Sequence, residues 1–364
     1  MTVMFAGGGT GGHLFPGIAV ARALVTRHPE ASVVFAGTGR GVEANALARE
    51  GFAFVVVRSA GLVGKSLPGV LRGLAQLPGS FTDAIRLLRH ARPDLVIGLG
   101  GYSAGPLVLS AALSGRPTML MEQNAVPGVT NRMLAPVVRA AAVSFASAAA
   151  RFGAKAFVTG NPVRAAFFEA GAGRAARAHA RPRLLVVGGS QGAHQLNVAM
   201  LAAAPAVAAA VPGGMDVTHQ TGERDCEHVR DGYRRAGIDA RVEPFFDAMA
   251  DEMAAADLIA CRAGATTLAE VAAAGLPAIV VPLPVSAGDH QRRNAAIFSE
   301  AGAAETIEEA ELDSLLAERM AALATDTARR RSMSEAARRL ARPDAADRIV
   351  LRAEELMGLA TAGG

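Results

Sequence analysis

The sequence predicts an α/β protein built from two Rossmann-like domains, each with a parallel sheet. Apolar runs of strand length alternate with Ala- and Arg-rich helical stretches along the chain, the order produced when parallel strands are joined by crossover helices. Two of these runs, Val3-Met4-Phe5-Ala6 and Leu184-Leu185-Val186-Val187, lead into glycine-rich loops, Gly8-Gly9-Thr10-Gly11-Gly12-His13 and Gly188-Gly189-Ser190-Gln191-Gly192-Ala193-His194. Continuous apolarity suits strands buried on both faces. Glycines let the backbone approach a ligand closely, and the helix start that follows offers unpaired N–H groups to an anion. With 364 residues, the chain is comfortable as two domains and long for one core.

In chain order, the expected strands after the first are Val33–Phe35, Phe54–Val57, Leu95–Ile97, Thr118–Met121, Ala141–Phe145 and Ala156–Thr159. Past Gly160-Asn161-Pro162 the sequence turns Ala-, Gly- and Arg-rich up to Pro182, which sets a boundary near Asn161 to Arg164. The second half repeats the pattern with Val217–Gln220, Arg241–Glu243, Leu258–Cys261, Ala278–Val281 and Glu305–Ile307. The expected domains are therefore residues 1–162 and 163–342. A terminal helix over 343–364 carries Ile349, Val350, Ala353, Leu356 and Met357 on one face and suits packing back toward the first domain.

Composition excludes several classes. The two cysteines, Cys226 and Cys261, give neither a disulfide framework nor a Cys-x-x-Cys metal site. The net charge of +4 suits phosphates, nucleic acid or an anionic membrane without choosing among them. Glycines from Gly7 onward interrupt any secretory signal core, so a cytoplasmic location is expected. The stretch Ala199–Val211 is broken by Pro205 and falls short of the roughly 20 residues of a spanning helix.

A third glycine turn, Gly98-Leu99-Gly100-Gly101-Tyr102-Ser103-Ala104-Gly105-Pro106, follows Leu95-Val96-Ile97. Neither first-half loop has the G-x-x-x-x-G-K-[ST] form, which removes the P-loop hydrolases. A dinucleotide oxidoreductase would need an acidic residue ending the strand after the first loop, whereas Glu30 precedes that strand. The block Cys261-Arg262-Ala263-Gly264-Ala265-Thr266-Thr267-Leu268-Ala269-Glu270 runs from strand to helix. Thr267-x-x-Glu270 matches a capping box. Equally, Glu270 in a first helical turn could accept both hydroxyls of a ribose.

Taken together, the blocks Gly7–Pro16, Gly100–Pro106, Glu122–Gly128, Gly160–Arg164, Gly188–Ala193, Arg262–Glu270 and Asp289–Asn294, in this order, resemble family-28 glycosyltransferases. That resemblance implies transfer of N-acetylglucosamine from UDP-GlcNAc to undecaprenyl-pyrophosphoryl-MurNAc-pentapeptide, the conversion of lipid I to lipid II in peptidoglycan synthesis. The resemblance implies a GT-B fold, two Rossmann-like domains facing a cleft, with the nucleotide sugar on the C-terminal domain and the lipid acceptor on the N-terminal one. By the same resemblance, Glu270 holds the ribose, Ser190, Gln191 and Gly192 hold the diphosphate, and Phe245 and Phe246 wall the uracil. Arg164 contacts the nucleotide, and Asn124, Gln291 and Asn294 read sugar hydroxyls. Thr10, Gly11, Gly12, Tyr102, Ala265 and Thr266 complete the expected substrate contacts. Ala104 stands where the family often has Ser, and Arg292 where small or amide side chains are common.

The chemistry needs a general base for the acceptor hydroxyl. His13 is the first candidate, with binding of the acceptor diphosphate as its other reading, and Glu122 is the second. No Asp-x-Asp pair occurs, so neither a metal nor another cofactor is expected. The expected partners are UDP-GlcNAc, the lipid-linked muramyl-pentapeptide and an anionic membrane surface, with other cell-wall and division enzymes as further candidates and nucleic acid excluded. Lys65, Arg72, Arg86, Arg89 and Arg92 are interleaved with leucines between Leu62 and Arg92, which suits peripheral contact with the cytoplasmic membrane face; an ordinary amphipathic helix is the plainer reading. Three alternative functions stand beside the transferase: a UDP-GlcNAc 2-epimerase, a dinucleotide oxidoreductase and a non-catalytic nucleotide-binding membrane scaffold.

Overall fold

The computed structural model describes residues 1–39, 41–58, 67–172, 181–189 and 192–359, with side chains at 41, 42, 67–75 and 287 left aside. The chain forms two compact units, Met1–Arg164 with Asp344–Gly364, and Ala165–Pro343.

The first unit holds a parallel sheet of β1 (Thr2–Gly7), β2 (Ser32–Gly37), β3 (Ala53–Val56), β4 (Leu95–Gly100), β5 (Thr118–Glu122), β6 (Ala140–Val143) and β7 (Ala156–Val158). Their spatial order is β3-β2-β1-β4-β5-β6-β7. The second unit holds β8 (Arg183–Val187), β9 (Asp216–Gln220), β10 (Ala240–Glu243), β11 (Leu258–Arg262), β12 (Ala278–Val281) and β13 (Ala304–Thr306), ordered β10-β9-β8-β11-β12-β13. In each sheet the chain winds outward one way from the central strand and then the other. The crossovers diverge between β1 and β4, and between β8 and β11, which opens a crevice at the carboxyl ends of those strands.

The central strands are as dry as their composition predicts. Val3, Met4, Phe5 and Ala6 are fully buried, as are Leu185 and Val186. Phe5 stacks on Phe35 with ring centroids 4.9 Å apart, an offset geometry that adds about 1 kcal/mol to the burial itself. The helix Ala345–Met357 lies on the helix Gly11–Arg27, burying Ile349, Val350 and Ala353 in the first unit's core. Glu354, on the same helix, accepts from His28 Nε2 at 2.7 Å and from Arg27. Burial alone would raise its pKa, but those donors hold it below the usual carboxylate range.

Two local expectations need correction. β4 does not stop at Ile97 but continues through Gly98, Leu99 and Gly100. Gly98 is a packing glycine, because a Cβ there would lie 2.7 Å from Leu120 Cδ2 and 2.9 Å from Val108 Cγ2. The helix after β11 begins at Ala265, with Gly264 as its N-cap. Thr267 is therefore the third helical residue and cannot be the N-cap of a capping box, and Glu270 falls in the second turn instead of the first.

Candidate functional site

In the first unit, β1, β4 and β5 all end on one edge, bringing residues from Gly7, Gly100 and Glu122 onward together. Gly7 has φ +116°, and a Cβ there would sit 2.3 Å from the Gly100 carbonyl and 3.2 Å from Ala104 Cβ. Ala104, where the family often has Ser, is fully buried beside the first loop. The loop is braced by a group with no motif to announce it, the buried carboxylate of Glu43. It accepts from the backbone N–H of Gly9, from Thr38 N–H at 3.1 Å and from Thr38 Oγ1 at 2.7 Å. Thr10 is the N-cap of the helix Gly11–Arg27 but makes no side-chain cap bond; Gly12 is exposed there.

His13, in the first turn of that helix, reaches Gln123 Oε1 through Nδ1 at 2.9 Å, and Gln123 Nε2 donates to the Leu99 carbonyl at 3.2 Å. Glu122 has a different environment. Its carboxylate is buried and accepts from Asn124 N–H at 3.0 Å, Gly128 N–H at 2.9 Å and Asn131 Nδ2 at 2.9 Å. Those bonds fold the 124–128 loop and engage both oxygens of the carboxylate. Tyr102 is 41% exposed on the neighbouring turn. The Arg164 guanidinium lies 4.7 Å above the Phe15 ring, a cation–π arrangement.

In the second unit the glycine loop follows β8 in the same way. Ser190 and Gln191 lie outside the described residues. Gly192 has φ +76°, and a Cβ there would approach the Thr221 carbonyl to 2.5 Å. Gln220, buried at the end of β9, ties two segments together. Its Nε2 donates to the Gly189 carbonyl at 3.4 Å and its Oε1 accepts from Phe246 N–H at 2.9 Å. The expected uracil wall divides accordingly. Phe246 is buried with Arg241 stacked on its ring at 4.8 Å, while Phe245 is 40% exposed.

At the end of β11, Ala265 and Thr266 open the helix Ala265–Ala274 with Glu270 one turn further on, and all three are buried. Burial, with Glu270 adding to it, pushes the Cys261 thiol up to about 12, so Cys261 is an inert core residue. Gln291 Oε1 accepts from Leu283 N–H at 2.9 Å. Asn294 is fully buried and donates to the Ala263 carbonyl at 3.2 Å. In this arrangement Asn294 braces the turn before Ala265. Arg292 points to Glu308, with Nε and a terminal nitrogen at 3.1 and 3.0 Å. That ion pair holds the guanidinium above its ordinary pKa.

Beneath the second loop runs a polar network that no motif signals. His219 is fully buried on β9. Its Nδ1 lies 3.0 Å from the Tyr233 hydroxyl and its Nε2 3.0 Å from Asn197 Oδ1. Asn197 Nδ2 donates to the Thr221 carbonyl at 3.0 Å and to Asp225 at 2.9 Å, and Asp225 also meets His194 Nδ1 at 3.1 Å. Since Asn197 Oδ1 can only accept, His219 is protonated at Nε2 and accepts a hydrogen bond from the Tyr233 hydroxyl at Nδ1. Burial lowers the His219 pKa to about 3. Burial would raise Asp225, but bonds from Asn197 and His194 hold it low. Among the described residues, no group of three or more His, Cys, Asp or Glu side chains could hold a metal ion.

Comparison with known proteins bears directly on this arrangement. Residues 3–143 match the glycosyltransferase family 28 N-terminal domain and residues 183–349 the family 28 C-terminal domain. A UDP-N-acetylglucosamine--N-acetylmuramyl-(pentapeptide) pyrophosphoryl-undecaprenol N-acetylglucosamine transferase of Anaeromyxobacter dehalogenans is 47% identical over 351 residues, 96% of this chain and 91% of its own. The chain belongs to glycosyltransferase family 28. A Geobacter sulfurreducens protein of the same name is 44% identical over 358 residues, covering 96% of this chain and 97% of its own. The crystal structure of Acinetobacter baumannii MurG superposes with a TM-score of 0.74 at 31% identity, covering 97% of this chain and 99% of the other. Two Rossmann-like domains with parallel sheets are thus the GT-B fold of this family, and the protein is a glycosyltransferase.

Proposed function

We propose that the protein transfers N-acetylglucosamine from UDP-GlcNAc to the C4 hydroxyl of the muramyl sugar in undecaprenyl-pyrophosphoryl-MurNAc-pentapeptide, forming a β1,4 linkage with inversion. The observation that carries this reading is the near full-length identity to transferases of that name. The epimerase, oxidoreductase and scaffold readings have no comparable support.

The chemistry follows from the two loop edges. An alcohol attacks the anomeric carbon while the bond to the UDP oxygen breaks, so negative charge grows on the diphosphate and a proton leaves the alcohol. The first residues of the helix His194–Ala210 follow the second loop, offering N–H groups and a positive dipole end to the diphosphate, aided by Ser190 and Gln191. Glu270 accepts the ribose hydroxyls, Phe245 faces the uracil, and Gln291 reads the sugar. Ala265 and Thr266 supply helix-start N–H groups beside it. Arg164 provides a cation for the nucleotide. On the acceptor side, Thr10, Gly11, Gly12, Tyr102 and Asn124 contact the lipid-linked sugar diphosphate, and His13 takes the proton.

The membrane reading is supported by exposed apolar side chains beside arginines. In the helix Leu67–Ala91, Ala84 and Leu88 are buried while Ile85 is exposed next to Arg86 and Arg89; Lys65 lies outside the described residues, as does the Arg72 side chain. Leu113 is 76% exposed at the end of a neighbouring helix, where the Arg116 guanidinium reaches the Leu88 carbonyl. No helix among the described residues is long and apolar enough to cross a membrane. These side chains support a reading in which the protein binds the cytoplasmic leaflet peripherally.

The test is transfer of radiolabel from UDP-GlcNAc to a lipid-linked muramyl-pentapeptide analogue by the wild type and by Glu270→Ala. Label moving to the lipid, with kcat/KM for UDP-GlcNAc cut by about 100-fold or more in the variant, is the expected result. Label remaining in the nucleotide despite UDP binding would remove the transferase reading, and unaltered kinetics in the variant would remove the ribose contact.

A further inference from the structure

The side chain of Gln123 is buried, yet it occupies the edge where β1, β4 and β5 end, between a backbone carbonyl and His13. The directions of its two hydrogen bonds are not interchangeable. A backbone carbonyl only accepts, so the group facing Leu99 must be the amide NH2. That orientation turns Oε1 toward His13, and an amide oxygen also only accepts. The proton shared across the 2.9 Å contact therefore belongs to His13 Nδ1. A neutral imidazole with its proton on Nδ1 carries its lone pair on Nε2. The ring packs close to the Gly100 backbone: an added Cβ on Gly100, which has φ +99°, would stand 3.0 Å from His13 Nδ1 and 3.1 Å from Cε1. The ring is thus held at one nitrogen beside a glycine that leaves it room, while the residue as a whole is only half-buried.

We infer that Gln123 is a positioning residue for sugar transfer, fixing His13 as the Nδ1–H tautomer so that Nε2 presents the lone pair that takes the acceptor hydroxyl proton. This rests on the reading of His13 as the base. The chain of assignment runs from the Leu99 carbonyl, through the Gln123 amide, to the His13 ring. A carboxylate in the same place would also accept from Nδ1, but it would face the Leu99 carbonyl with a second acceptor. An amide satisfies both neighbours without a buried charge.

The tautomer can be read without substrate. In the full-length protein labelled with ¹⁵N-histidine, His13 is assigned by loss of its signal in His13→Gln, and its two ring nitrogen shifts report which one carries the proton. The wild type is expected to show Nδ1–H. Gln123→Met keeps the volume and removes the acceptor; His13 should then shift toward the Nε2–H form, with kcat down by roughly 10- to 100-fold and KM for UDP-GlcNAc unchanged. Gln123→Glu, which as the neutral acid can donate to Leu99 and accept from His13, should restore both the tautomer and most of kcat. A wild-type His13 protonated at Nε2, or a Gln123→Met protein with unchanged tautomer or unchanged kcat, overturns the inference. Failure of the transferase reading itself is separately visible as absence of label transfer by the wild type.

Discussion

The two glycine loops share a backbone plan and differ in what stands behind them. Both follow the central strand of a parallel sheet and lead into a 17-residue helix, Gly11–Arg27 in one unit and His194–Ala210 in the other. The first is braced by a buried carboxylate, with Gly9 N–H donating to Glu43. The described part of the second is braced by an amide that engages a carbonyl: Gln220 donates to Gly189 O. The carboxylate of Asp225 is shared between His194, which opens the following helix, and Asn197. In the reading proposed above, the departing diphosphate belongs to the second loop. At the first loop, the neighbouring His13 is the group with chemistry to offer.

Substitutions can break that contrast, beginning with the largest effect. Gly7→Ala forces a Cβ against the Gly100 carbonyl at positive φ and should destabilise the first unit by more than about 3 kcal/mol. Gly189→Ala, with open space around it at φ +81°, should cost only about 1–2 kcal/mol. Equal losses in denaturant unfolding of the two variants would refute the crowding argument. Glu43→Ala leaves the N–H groups of Gly9 and Thr38 without their acceptor and should cost about 2–3 kcal/mol. Isothermal titration should then find UDP affinity unchanged, and a weakened UDP site would contradict the separation of roles.

The His219 network beneath the second loop makes a pH-dependent contribution. Its folded pKa, about 3, lies below the unfolded value of about 6.5, so between these limits the unfolded chain binds a proton that the folded one refuses. Stability is thus lost as pH falls below about 6.5, by about 2 kcal/mol at pH 5.0 relative to neutral pH. Asp225 adds its own loss only lower, in the carboxylate range. His219→Gln should flatten the slope between pH 7.5 and 5.0, and an unchanged slope in urea titrations would assign it to another group. The smallest effect is expected for Gln220→Met. Freeing Gly189 and Phe246 from their shared strut should weaken UDP binding about tenfold with acceptor KM unaltered, and a change confined to the acceptor would place the strut's role elsewhere.

Much of this was legible in the chain. Strands buried on both faces announce themselves as apolar runs, and the glycine loops, Glu270 and His13 announce themselves by their spacing after those runs. Glu43, Gln123, Gln220 and His219 carry no such mark. A lone Glu in Gly41-Val42-Glu43 or a Gln in Glu122-Gln123-Asn124 reads like any polar residue until its hydrogen-bond partner, often a backbone group far along the chain, is brought to it. Asn294 and Glu122 show the same dependence: their residue types suit ligand contact, and only the fold joins Asn294 to the Ala263 carbonyl and Glu122 to the N–H groups of Asn124 and Gly128 and the Asn131 amide.

Local patterning alone determined the alternating α/β architecture, the two glycine loops and the family, because hydrophobic periodicity and short-range turn chemistry are properties of neighbours in sequence. Tertiary structure decided which polar side chains brace the loops, which nitrogen of His13 carries the proton and which candidates are buried. Those outcomes depend on hydrogen bonds between residues such as His13 and Gln123, 110 positions apart, whose direction is set only once the strands lie side by side.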